Sequence, residues 1–138
     1  EVIGSDVGVF YKRRDLSKVV NGVNPIVAHT YMGSDVKGKN VVIIDDIADT
    51  AGTLCKAAAM MKQAGAKSVR ALVSHGIMSG PACERIETSE LEELIFTDSI
   101  PFDLQRCSKV KLVSLAKPIA ETILAIQEHR SISELNIH

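Results

Sequence analysis

The sequence has no tryptophan, and aromatic residues make up only 4% of its 138 positions. That leaves little from which to build an aromatic stacking platform for single-stranded nucleic acid. No apolar run approaches the ~20 residues of a membrane span, and the amino terminus carries no secretory pattern. Cysteines are few: Cys55, Cys83 and Cys107, odd in number and without C-x-x-C spacing. They read as reduced thiols of a cytoplasmic protein, two of them packed as small apolar residues. The histidines His29, His75, His129 and His138 are scattered with no zinc-site spacing, so no metal site is read on this chain. Charge of one sign is lacking too. A formal net charge of −1 gives no global pull toward nucleic acid or an anionic membrane, so any anion site has to be local.

What is present is a globular composition, 46% hydrophobic and 24% charged, in a chain long enough for one domain with one core. The chain opens at Glu1 with a strand a few residues later, and is expected to be a piece of a longer protein. Val7–Tyr11 reads as a strand ending at the cationic KRRD. A polar loop follows, then a strand in PIVAHTYM and a hairpin turn in GSDVKGKN. VVIID, Val41–Asp45, is a continuous apolar run of the kind buried on both faces of a parallel sheet. Thr53–Ala64 predicts a helix with Leu54, Ala58 and Met61 on one face and Gly65 as its stop. SVRALVSH, Leu94–Thr97 and VKLVSL read as further strands. Pro81 suits the first turn of a short helix. PIAETILAIQEH reads as the last helix, with Ile119, Ile123 and Ile126 on one side. Strands alternating with helices predict a parallel α/β sheet. Polar residues gather where the strands end, and that is where such sheets bind ligands.

The densest signal is VVIIDDIADTAGT. A strand runs into Asp45 and Asp46, then into a loop of small and hydroxyl residues, then into a helix. Ala51 and Gly52 let backbone N–H groups approach a ligand, and the helix start adds its free amides and partial positive charge. Thr50 and Thr53 add hydroxyls. The plainer reading is a helix N-cap, which Thr or Asp often supplies. It leaves the adjacent aspartates unexplained, since two carboxylates at the end of an apolar strand repel each other. The carboxylates make sense if they accept from vicinal hydroxyls or lean on a metal, and a sugar phosphate would satisfy both halves at once: hydroxyls for the carboxylates, phosphate for the loop.

Two other motifs read less simply. GSDVKGKN nearly fits the nucleoside-triphosphate loop through Gly33, Gly38 and Lys39. Asn40 stands where Ser or Thr should be, however, and the segment precedes a strand instead of opening a helix. KRRD is either a solvated basic loop or, with Lys12 and Arg14 near the same sheet edge as the cradle, a clamp for phosphoryl oxygens. His75 reads as a loop-shaping residue, since no G-x-S-x-G accompanies it.

At VVIIDDIADTAGT the sequence resembles the phosphoribosyl pyrophosphate-binding motif shared by type I phosphoribosyltransferases and ribose-phosphate pyrophosphokinases. YKRRD, NPIVAH, DVKGK, SHGIMSGPACERI, FTDSIP and SISEL extend the resemblance, over nearly the whole chain, to the carboxyl-terminal half of the second group. That implies one domain over residues 1–138: α/β, a mostly parallel sheet flanked by helices, type I phosphoribosyltransferase-like, with a β-hairpin or flexible-loop insertion. The implied activity is transfer of the diphosphoryl group of ATP to the 1-hydroxyl of ribose 5-phosphate, with Mg2+ as cofactor and dimers or hexamers as the assembly. By resemblance Asp45 and Asp46 hold the ribose hydroxyls, and Asp49, Thr50, Ala51, Gly52 and Thr53 hold the 5-phosphate. Lys12 and Arg14 match a mobile catalytic loop, and Ser131 and Ser133 match a regulatory phosphate site. The family's ATP-base site and metal-binding residues belong to segments not found in this sequence, so the chain alone is expected to be inactive. The alternatives are a small type I phosphoribosyltransferase, for whose base-binding hood no segment is spare, and a non-catalytic regulatory or assembly domain. The intact DTAGT argues against the latter.

Overall fold

The computed structural model describes residues 5–14 and 26–134, and the side chains of residues 11–30 and 134 lie outside that description. Strands β1 (Val9–Arg14) and β2 (Ile26–Met32) pair antiparallel in a ribbon of their own. Strands β3 (Asn40–Ala48), β4 (Ser68–Gly76), β5 (Glu93–Thr97) and β6 (Val110–Val113) form a parallel sheet in that order. Helix α1 (Gly52–Gln63) links β3 to β4, α2 (Ala82–Thr88) links β4 to β5, and α3 (Ala116–Gln127) follows β6. The α/β expectation holds. Among the described residues no helix is long and apolar enough to cross a membrane.

Three local expectations do not hold. The first strand does not stop at Tyr11. It continues through the cationic cluster to Arg14, because β2 supplies a pairing partner, with the register shifting between Arg13 and Arg14. GSDVKGKN is not a hairpin turn: β2 and β3, on either side of it, belong to different sheets. Its Lys39 makes an ion pair with Asp6 at 2.8 Å. That pairing lowers the Asp6 pKa and raises that of Lys39.

The third correction is to VVIID, which is buried on one face only. The strand order β3-β4-β5-β6 steps always in one direction, and right-handed crossovers then fall on one side of the sheet. That side holds the core: Ile43, Val69, Ala71, Val73, Leu94 and Phe96 pack with Leu54, Ala57, Ala58 and Met61 of α1 and with Ala82 and Ile86 of α2. The alternate residues Val42 and Ile44 stand 51% and 77% exposed. On α1, Leu54, Ala58 and Met61 share the buried face as expected. Burying Leu54 and Met61 stabilises the fold by about 1.5–3 kcal/mol each. The helix ends in a Schellman motif, Ala66 N donating to Met61 O and Gly65 N to Lys62 O. Gly65 takes the required positive φ of 90°. On α3 the isoleucines Ile119, Ile123 and Ile126 are exposed, and Ala125 is the buried residue. Of the cysteines, Cys107 is buried and Cys55 and Cys83 are intermediate. Burial pushes the Cys107 thiol up to about 11.

Candidate functional site

The site forms where β3 hands over to α1. Side chains alternate along a strand, so the adjacent aspartates part company. Both are exposed, and the Asp46 amide donates to Asp45 Oδ1 at 2.9 Å. Asp45 lines an open cleft of about 1250 Å³ together with Asp49, Thr50, Ala51, Gly52 and Thr53; Asp46 does not line it. The far wall carries Asp6, Phe10 and Tyr31.

The loop itself is turned so that its carbonyls face the protein. Ala48 O accepts from Ile77 N at 2.9 Å and Met78 N at 3.0 Å, and Asp49 O accepts from Ser79 N at 3.1 Å. Thr50 O accepts from Arg85 Nη1 at 2.9 Å. The Asp49 carboxylate is engaged by the Ser79 hydroxyl. Among the described residues, by contrast, none of the amides from Asp49 through Leu54 donates to a protein acceptor, and the first helical bond is Cys55 N to Ala51 O at 3.0 Å. The plainer N-cap reading is not what is built: α1 has no side-chain cap bond, and its N-cap residue is Ala51 in the left-handed region, φ 58°, ψ 5°. That conformation costs a non-glycine residue about 1–2 kcal/mol. It is held while the Ala51 side chain stays buried. Free amides at a helix start, with no side chain turned onto them, are donors available to an anion.

The neighbouring strand end is polar but tied to itself. His75 pairs in register with Ile47 and Thr97. Its Nδ1 lies 2.7 Å from Ser99 Oγ, and Thr97 Oγ1 donates to Ser74 O at 2.6 Å. His75 thus lies within β4 and not in the loop where it was expected, with Ser99 beside its ring. Among the described residues no three His, Cys, Asp or Glu side chains gather as a metal cage. The Lys12 and Arg14 backbones pair with His29 and Ile26 of β2, and their side chains lie outside the described set. Most of the loop expected to be mobile, residues 13–24, lies outside it as well. Ser131 and Ser133 are exposed beyond α3, where Ser131 Oγ accepts from Ser133 N at 3.3 Å.

The sequence reading assigned no role to Ser79 or Arg85. Both lie in the segment after the strand next to β3. The available signal was topological: in a parallel sheet the loop after the neighbouring strand is the one that reaches the cradle.

Residues 13–136 match the family described as phosphoribosyl synthetase-associated domain. A ribose-phosphate pyrophosphokinase of Porphyromonas gingivalis is 49% identical over 109 residues, 79% of this chain and 34% of that protein. One of Xanthomonas axonopodis is 42% identical over 135 residues, 96% of this chain and 40% of that protein. Among solved structures, the phosphoribosylpyrophosphate synthetase from Mycobacterium smegmatis superposes with a TM-score of 0.69 at 32% identity, covering 74% of this chain and 34% of that one. The chain thus spans little more than a third of the length of the relatives it matches.

Proposed function

This chain belongs to the phosphoribosyl synthetase-associated domain family, and on that premise we propose that it is the ribose-5-phosphate-binding, carboxyl-terminal half of a ribose-phosphate diphosphokinase. The observation that carries the reading is the loop from Asp49 to Leu54, beside the carboxylate of Asp45: the Asp49 and Thr50 carbonyls are bound from behind, while among the described residues its amides have no protein acceptor. The 5-phosphate of the sugar takes the amides. A ribose hydroxyl donates to Asp45. Asp49, whose side chain is engaged by Ser79, contributes its backbone amide.

In the reaction the 1-hydroxyl oxygen attacks the β-phosphorus of ATP. The new O1–Pβ bond forms as the bond from Pβ to the α–β bridging oxygen breaks. AMP leaves, and the hydroxyl proton passes to solvent. No covalent nucleophile on the protein is required, so catalysis is positioning and charge neutralisation. Lys12 and Arg14 are assigned to the ATP phosphates. Mg2+, when bound, would neutralise charge on those same phosphates. Among the described residues no three His, Cys, Asp or Glu side chains gather, so Mg2+ would take most of its oxygen ligands from the substrate phosphates and water.

The test is titration calorimetry of the 138-residue chain with ribose 5-phosphate and with inorganic phosphate, beside an assay for AMP formation from ATP. Binding of the sugar phosphate, tighter than phosphate, with no AMP formed by the chain alone is the expected result. Absence of any binding, or a turnover in the ordinary enzyme range of roughly 1–10³ per second from this chain unaided, would overturn the assignment.

A further inference from the structure

We propose that Arg85 is the positioning residue of the anion cradle, acting through the Thr50 carbonyl to hold the Thr50–Ala51 peptide in its ligand-ready orientation. The inference rests on the proposed phosphate site and deepens it. A peptide unit is planar and trans, so fixing its C=O in one direction points its N–H in the other. Ala48 O and Asp49 O are fixed by backbone amides of residues 77–79, which orients the Asp49 and Thr50 amides. Among the described residues the third unit has no backbone partner for its carbonyl. The bond it accepts there comes from the Arg85 guanidinium, 2.9 Å away.

That third unit is also where the loop carries its strain. Ala51 sits at φ 58°, and a peptide flip between Thr50 and Ala51 is the ordinary way for such a residue to relax. Arg85 opposes the flip. It also lies flush with the first turn of α1: a Cβ placed on Gly52 would stand 3.3 Å from Arg85 Nη1 and 3.9 Å from Cζ. Among the described residues no carboxylate forms an ion pair with Arg85. Its charge therefore stays uncompensated beside the free amides, which adds to the positive potential the cradle presents.

The experiment compares Arg85→Met and Arg85→Lys with the wild-type chain. Methionine keeps most of the aliphatic stem and removes the donors; lysine restores a single donor. Affinities for inorganic phosphate and for ribose 5-phosphate are measured by calorimetry, and the ligand-free loop by crystallography of Arg85→Met. Arg85→Met is expected to weaken both ligands in parallel, by about tenfold, with Arg85→Lys recovering part of the loss. In the Arg85→Met crystal the Thr50 carbonyl is expected to turn and Ala51 to leave positive φ. Unchanged affinities overturn the proposal. An unchanged loop with weakened affinities also overturns it, making Arg85 a direct charge on the ligand. If the wild-type chain binds neither ligand, the phosphate-site reading falls, while the Ala51 conformation in the variant still decides the role of Arg85.

Discussion

Replacing Asp45 by asparagine separates the two halves of the proposed site. Asp45 is exposed, and its Oδ1 already accepts the Asp46 amide at 2.9 Å. Asparagine keeps that acceptor and nearly the same volume. Among the described residues no cation forms an ion pair with Asp45. The fold should therefore lose no more than about 0.5 kcal/mol, as for ordinary surface changes. The ligand loses more. A hydrogen bond to a charged group contributes about 1.5–3 kcal/mol. One carboxylate oxygen is free for the sugar, so one such bond is at stake. The asparagine nitrogen can still donate to a hydroxyl oxygen, which keeps the loss near the lower end, about 1.5–2 kcal/mol or about 10–30-fold in affinity. Inorganic phosphate has no ribose hydroxyl to lose. Its affinity should stay level or rise slightly as a negative charge disappears from the cleft. The assay is calorimetric titration of both ligands into Asp45→Asn, with a denaturation curve for stability. Equal losses for both ligands, or no loss for ribose 5-phosphate, would refute the division of labour between carboxylate and loop.

Two further outcomes are expected. In a full-length ribose-phosphate pyrophosphokinase carrying this chain, Lys12→Ala should lower kcat and kcat/KM together by about 10²–10³-fold, as for a donor aimed at developing charge; a changed KM with kcat intact would make Lys12 a uniform binding group. Asp98 accepts from the Ser114 hydroxyl at 2.6 Å and the Leu115 amide at 2.8 Å, and these bonds hold its pKa below the usual carboxylate value. A carboxyl lowered on folding contributes stability that is fully present above its unfolded pKa of about 3.9 and is lost as pH falls through the lower native value. Denaturation midpoints of Asp98→Asn should therefore fall less steeply below about pH 4 than those of the wild type, and parallel acid limbs would show that these bonds carry no such linkage.

The parallel sheet was legible because its strands are short apolar runs set between helical segments, and α1 because Leu54, Ala58 and Met61 share one face with a glycine stop behind them. The loop's composition marked it as a cradle. Its conformation was not legible: positive φ is expected at glycine, yet Ala51 takes it while Gly52 begins the helix. The sidedness of VVIID was hidden too, since burial of alternate residues is decided by the direction in which the crossovers step and not by the strand. Asp45 and Asp46 read as a pair, yet Asp45 lines the cleft and Asp46 does not. Arg85 carried no local signal. Its partner is the Thr50 carbonyl, 35 positions earlier in the sequence, and only the packing of α2 beside α1 brings them together.

The one-sided sheet bears on how the protein has to be handled. Val42 and Ile44 face solvent on β3, an edge strand of the described sheet, and an open apolar edge invites self-association. Sulfate and phosphate salts strengthen such association by being excluded from protein surface. Phosphate is also what the cradle is proposed to hold, and sulfate shares its tetrahedral shape. A precipitant chosen from them would drive the open faces together and load the site at once, so that crowding of the sheet and occupancy of the loop would rise with a single concentration. Chloride buffers at low protein concentration keep the two apart. In them, a change seen on adding ribose 5-phosphate can be ascribed to the loop, and a change seen on adding more protein to the face.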